Sequence, residues 1–307
     1  MPYINYELCI IIATFVNQYF RNGNDKDIYG KVQAVRFVCT GLSLGCPGHR
    51  RTGGRHDRRA PRRCIECGHC IDVCAQDAIQ HEAFPQDKIH EVNRALLPSP
   101  ESVLELIRSR RSNRTITKKD IPQASLDMIL EAAGYAPTAE NSRLVRLHLI
   151  TEQDGVQAVE DATMGFFMRL ARILMNPVVK CLLRPFMKKL YDEAPALLAM
   201  NEEWKRGKHP ATCEAKALLA FTAPKGYDFG WQDCNLAYQN ASLMAESLGV
   251  SQIYMGFVAT ALKMMGDKRA GKLFGLPKGE KVFALMALGM PAVQYRKYVD
   301  RRDVHNA

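Results

Sequence analysis

The sequence predicts an α+β protein in two parts: a small cysteine-rich module, then a larger domain in which a mixed sheet is flanked by helices. Three observations carry this expectation. Four cysteines crowd into the eleven residues from Cys64 to Cys74, helix and strand periodicities interleave from Leu96 onward, and 307 residues suit two modest domains. Apolar residues at 47% and charged residues at 24% are ordinary globular usage, which excludes a fibrous or disordered chain.

Domain limits are expected at 1–95 and 96–307, with Pro98-Ser99-Pro100 marking the join and residues 1–63 atypical for their module. Ser99 or Ser102 caps a helix to about Ser109, with Val103, Leu106 and Ile107 on one face. A second helix follows Ser125, with Leu126, Ile129 and Leu130 inward and Gly134 as its stop. Residues 145–150 alternate like a half-buried strand. Residues 164–190 mix apolar and basic side chains; they suit a membrane-surface helix or, as the expectation, two helices broken at Pro177 and Pro185 and packed on the domain or a partner subunit. A long helix covers Asp233 to Leu248, ending at Gly249, and a strand covers Lys281–Leu288.

Charge is local. The balance of 42 Lys+Arg against 32 Asp+Glu gives +10, and the seven Arg and one Asp of residues 49–63 supply +6 of it. With no aromatics interleaved, that run is poor material for stacking bases, so nucleic-acid binding is not expected. No run approaches the ~18 apolar residues of a membrane span. The apolar stretch from Leu8 to Val16 has Glu7 rather than a basic leader before it, and a cytoplasmic location is expected.

Cys64, Cys67, Cys70 and Cys74 follow C-x2-C-x2-C-x3-C, the bacterial spacing for a [4Fe–4S] cluster. Zinc is the rival, but its sites usually pair two C-x2-C units across a longer gap. Gly68 is expected to leave room beside the inorganic sulfides. The segment resembles the two-cluster bacterial ferredoxin domain. That resemblance implies that Cys46, followed by Pro47, completes the cluster of Cys64, Cys67 and Cys70, and that Cys74 belongs to a second site with Cys39 as its companion. The other upstream positions hold Arg36 and Leu42, so one cluster is expected.

Arg110, Arg111, Ser112 and Arg114 stand at a helix end and the loop after it, where guanidiniums suit a phosphate and a hydroxyl suits a polar ring edge. Tyr135-Ala-Pro-Thr-Ala-Glu-Asn141-Ser-Arg143 follows, then Asp233-Cys-Asn-Leu-Ala-Tyr-Gln239-Asn240, Ile253-Tyr-Met255-Gly256-Phe257 and Ala287-Leu-Gly-Met-Pro291 with Arg301-Arg302. In this order the five segments resemble the FMN-dependent nitroreductase family over residues 101–307. A ferredoxin-type domain fused ahead of such a domain is a known arrangement of that family.

The resemblance implies FMN as cofactor and an intertwined homodimer with the flavin at the subunit interface. Arg110 with Arg301 or Arg302 would bind its phosphate, and Arg111, Ser112 and Arg114 would line the path to the pyrimidine. Asn141 would meet the polar edge of the ring, and amides around Met255 and Gly256 would face N5. Arg143 stands where the family usually has Gln, and Leu144-Val145 where it has Pro-Trp. The implied activity passes electrons from the iron–sulfur cluster, from NAD(P)H, or from both, through FMN to a small acceptor such as a nitroaromatic or quinone. The alternative is a module relaying electrons to a protein partner, with a ferredoxin-type redox partner as donor. No separate acid–base site is expected, and His69 and His148 are expected to be structural.

Overall fold

A computed structural model describes residues 65–300, apart from 75, 76, 78, 187 and 193. Cys39, Cys46, Cys64, Arg301 and Arg302 therefore lie outside the described residues. The chain divides into two units, Met1–Leu97 and Pro98–Ala307.

In the first unit the described residues form one short helix, α1 (His69–Asp72), and two 3-10 turns, Gln86–Lys88 and Arg94–Leu96. Gly68 enters α1 at φ 78°, a left-handed conformation open to glycine, and its carbonyl accepts from the amides of Ile71 and Asp72. Gly68 thus serves the turn itself. The turn sends Ile71 and Cys74 into the interior of the unit, and His81 and Phe84 bridge and pack their rings below it.

The second unit opens with α2 (Pro100–Ser109) and α3 (Gln123–Gly134). Ser99 caps α2 by accepting from the Ser102 amide at 3.2 Å, and Pro100 occupies the first helical position, where no amide is needed. The apolar face of α2 stays largely open: no residue of the helix is buried, Leu106 is half-buried, and Val103 and Ile107 are exposed. In α3, Leu126 and Ile129 face inward as their spacing requires.

Four strands follow: β1 (Arg146–Ile150), β2 (Ala217–Pro224), β3 (Ser251–Tyr254) and β4 (Glu280–Gly289). Their spatial order is β1-β2-β4-β3, and all three pairings are antiparallel. This corrects the expected mixed sheet. The helix α8 (Gly230–Ser247) does leave β2 and β3 parallel, as a helical crossover should, but β4 inserts between them and pairs antiparallel with both. The one parallel contact among the described residues is an isolated bridge between Ser112 and Gln252.

Helices cover both faces, so β2 and the far half of β4 read as continuous apolar runs rather than alternating ones. On one face Leu219, Phe221, Ala284 and Met286 pack against α3 and α8, where Ala237, Ala241 and Ala245 let the helix lie close. On the other, Leu218, Ala220, Leu285 and Ala287 meet three helices: α4 (Gln153–Leu174), α9 (Gly256–Met265) and α10 (Asp267–Phe274). Between β1 and β2 the excursion continues from α4 through α5 (Pro177–Leu183), α6 (Lys188–Asp192) and α7 (Ala194–Lys205). The break at Pro177 falls as expected, with Asn176 capping α5 through the Val178 amide at 3.1 Å.

The near end of β4 carries a buried carboxylate. Glu280 accepts from Arg146 at 2.7 Å and from the Thr222 hydroxyl at 2.8 Å, with His148 Nε2 at 3.1 Å. His148 is structural, as expected: it helps to offset a charge that would be costly alone. At the far end Gly289 lies under Ile116, whose Cγ2 occupies the space a side chain at 289 would need. That contact seats the segment 115–117, whose backbone bonds to Met290 and Ala292. Gly289→Ala should destabilise the domain by about 1–3 kcal/mol through overpacking, read as a lower urea midpoint. An unchanged midpoint would show that Ile116 turns aside freely.

Candidate functional site

Three segments distant in sequence meet at the outer edge of β3. The segment after α2 runs along this edge strand, held by Ser112 bridging Gln252 and by the Ser251 hydroxyl donating to the Asn113 carbonyl at 2.8 Å. Asn113 in turn donates to the Val293 carbonyl at 2.8 Å, which draws the chain after β4 to the same place. Gln252 is fully buried; its amide donates to the Arg111 carbonyl at 2.9 Å and accepts from the Tyr238 hydroxyl at 2.8 Å. Burial holds the Tyr238 hydroxyl well above the ordinary phenol range, against the opposing charge of Arg110. Tyr254 stands edge-on to Tyr238 at 4.8 Å between ring centres, and its own hydroxyl is also held high by burial.

The expected site residues do not all do the same work. Arg110 is half-buried at the end of α2, close enough to Tyr238 for its charge to act there. Arg111 turns back on its own helix, donating to the carbonyls of Arg108 at 2.5 Å and Arg110 at 2.8 Å. It caps α2, whose last carbonyls lack partners within the helix. The charge of Arg114 bears on Cys213, whose thiol burial pushes up; Cys213 packs on the opposite face of the sheet from Tyr238.

At the β3–α9 junction the Met255 amide donates to the Leu285 carbonyl at 2.9 Å and so belongs to the sheet. Gly256 is exposed at the first position of α9, where an amide has no acceptor one turn back. A Cβ on Gly256 would meet only the Tyr254 ring, at 3.8 Å, so its own neighbours do not require glycine there. The space beside its backbone is open.

The loop bearing Asn141 and Arg143 is fixed from α8. Asp233 is buried in the first turn of that helix and accepts from the Ala139 amide at 3.2 Å and from the Tyr227 hydroxyl at 2.6 Å. The Tyr227 hydroxyl hydrogen is engaged in the bond to Asp233, so Ser142 donates to the Tyr227 oxygen, at 2.7 Å. Burial first, then the bond to Asp233, pushes the Tyr227 hydroxyl up. Glu140, Asn141 and Arg143 all have φ between 51° and 53°, a costly conformation for non-glycine residues that these anchors over-determine. Sequence reasoning assigned no role to Asp233, Tyr227 or Gln252. An acid in the first turn of an Ala-rich helix was the available signal for Asp233.

The chain's similarity to known proteins agrees with this architecture. The nitroreductase family profile matches residues 107–290, a span that contains the segment after α2 and all four strands. The chain belongs to the nitroreductase family. It is accordingly an oxidoreductase of nitroreductase type. An Archaeoglobus fulgidus protein provisionally named an NADH dehydrogenase/NAD(P)H nitroreductase is 24% identical over 208 residues, 67% of this chain and 91% of that one. The NADH dehydrogenase of Thermus thermophilus is 29% identical over 192 residues, 60% of this chain and 83% of that one. A nitroreductase with bound FMN from Bacteroides fragilis shares the fold at a TM-score of 0.50 and 20% identity, over 66% of this chain and 96% of its own.

The family match begins after the cysteine motif, which the nitroreductase domain therefore does not explain. Among the described residues, no three or more Cys, His, Asp or Glu side chains are grouped to hold a metal. Cys74 is buried in its unit, and Cys64, Cys46 and Cys39, the other expected ligands, lie outside the described residues.

Within the nitroreductase domain, Asp233→Asn should cost about 1–3 kcal/mol, because a buried carboxylate bonded to two donors becomes a group that matches only one. The amides of residues 139–143 should also lose protection in hydrogen exchange. Full protection in the variant would show that the loop holds its strained conformation without Asp233.

Proposed function

We propose that this nitroreductase is an FMN-dependent enzyme that takes electrons from NAD(P)H and passes them to a small acceptor such as a nitroaromatic or a quinone. The observation that carries this reading is that β3 links a half-buried arginine, whose charge acts on Tyr238, to an exposed glycine at a helix start, two residues past the Tyr254 ring that packs on Tyr238. The FMN of the Bacteroides fragilis protein and the NADH in the name of the Thermus thermophilus protein support the choice of cofactor and donor.

The residues fit a flavin. Arg110, held half-buried, presents a guanidinium suited to bidentate contact with the phosphate. Arg301 and Arg302 are proposed to join it from the C-terminal tail, and Ser112 to line the path to the ring. Gly256, rather than Met255, offers an amide for N5, with the start of α9 favouring negative charge on the ring. Asn141 and Arg143, on the loop braced by Asp233, supply the polar edge, and an arginine there would favour an anionic pyrimidine. Bound FMN supplies the two-electron and one-electron chemistry. The protein contributes phosphate anchoring, orientation and an open face for alternating substrates. A homodimer is part of this proposal: the apolar residues Val103, Leu104 and Ile107 stand exposed on α2 and would be covered by a second copy.

A [4Fe–4S] cluster as a further electron source rests on the spacing of Cys64, Cys67, Cys70 and Cys74 alone, with Cys46 and Cys39 as the additional thiols. With three of these six thiols outside the described residues, no step is routed through a cluster.

The purified protein should bind one FMN per chain. Arg110→Ala should weaken FMN binding by about 1.5–3 kcal/mol, roughly ten- to a hundredfold in Kd, measured by quenching of flavin fluorescence. Unchanged affinity would remove Arg110 from the site. An inability of the wild type to bind FMN at all would remove the function.

A further inference from the structure

We propose that the helical excursion between β1 and β2 docks this protein on an anionic lipid bilayer, lying on the surface rather than crossing it. Residues 164–190 hold six Lys or Arg and no Asp or Glu. In α5 both sides are apolar: Val179 and Leu183 are half-buried, and the solvent side is apolar too. Val178 and Leu182, one turn apart, are 68% and 65% exposed, and Phe186 just beyond is 86% exposed. Ile173 and Met175, at the end of α4, extend the same apolar surface toward Pro177.

Exposed side chains of this size cost free energy in water and gain it in the headgroup–acyl boundary, and cations beside them gain from anionic lipid. In sequence the half-buried Lys180 on α5, the exposed Arg184 just after it and the exposed Lys188 opening α6 alternate with the apolar residues, matching the charge of such a surface. The excursion is tied down at its far side, where the Tyr191 hydroxyl donates to the Leu174 carbonyl at 3.0 Å, so the apolar tip is presented as a fixed protrusion.

A second feature on α4 points the same way. A cleft of about 540 Å³ is lined by Arg169, Arg172 and Arg269 together with the indole of Trp204. Asp161, the acid in its wall, accepts from the Trp204 indole at 2.9 Å and from Gln157 at 2.8 Å. None of the three arginines forms an ion pair with a described residue. Guanidiniums on such a wall suit lipid phosphates, and no described helix is long and apolar enough to cross a membrane.

Co-sedimentation of the full flavin-loaded protein with vesicles tests the proposal. The wild type should pellet with vesicles of phosphatidylglycerol and phosphatidylcholine in equal parts and stay in solution with phosphatidylcholine alone. Val178→Ser, Leu182→Ser and Phe186→Ser together should reduce partitioning about tenfold or more. Lys180→Glu with Arg184→Glu, a separate variant that keeps the apolar tip, should do the same. Both variants should retain the flavin content and circular dichroism of the wild type. Wild type that ignores anionic vesicles, or partitioning that survives both variants, would overturn the proposal. So would a triple variant that falls from dimer to monomer while the wild type ignores vesicles, since a second copy would then be the occupant of this face.

Discussion

A single buried amide side chain organises the candidate site. Gln252 lies on the edge strand β3 with no solvent access, and its two functional groups must find partners within the protein or cost about 1–3 kcal/mol each. One goes to the carbonyl of Arg111 and the other to the hydroxyl of Tyr238. The bonds join the segment after α2, the sheet and α8 at one point. They also cover the outer side of β3, which would otherwise present unpaired backbone groups as a template for another strand. Arg110 acts on Tyr238 beside this point, Asn113 holds the chain leaving β4, and Gly256 follows at the end of the strand.

The same logic recurs at the two buried carboxylates of the sheet and its crossover helix. Asp233 reaches from α8 to an amide 94 residues earlier, and Glu280 at the start of β4 gathers Arg146, His148 and Thr222 from β1 and β2. Each carboxylate sits on a rigid element and fixes a loop or strand end that local sequence leaves undetermined. The strained backbone at Glu140, Asn141 and Arg143 exists only under such an anchor. The polar network therefore sets the shape of the site, while the apolar layers on the two sheet faces supply most of the stability.

The helices divide into two kinds. Where α8 crosses the sheet it is built of Ala237, Ala241 and Ala245, small residues that allow close packing against strands and against α3. Beyond the buried part of α4, the excursion turns Ile173, Met175, Val178, Leu182 and Phe186 outward instead, with cations between them and no acid over residues 164–190. The first kind makes the fold and the second presents a surface.

What the sequence determined by itself is local. Ser99 before Pro100, the i, i+3 spacing of Leu126 and Ile129, the break at Pro177 and the apolar run of β4 all depend on residues within a few positions of each other, and each element formed where its pattern lay. The order of arginine, loop, helix and strand segments also carried the family. What only the tertiary structure decided depends on partners far away in sequence. Periodicity could not show that β4 would enter between β2 and β3 and make every pairing antiparallel, because a strand's pattern is the same whichever neighbour it meets. Nor could a run of arginines reveal that Arg111 folds back to cap its helix, or that Arg114 bears on Cys213 across the sheet from Arg110. Residue type sets the charge, but the direction of a long side chain follows from which acceptors the folded chain leaves unsatisfied beside it.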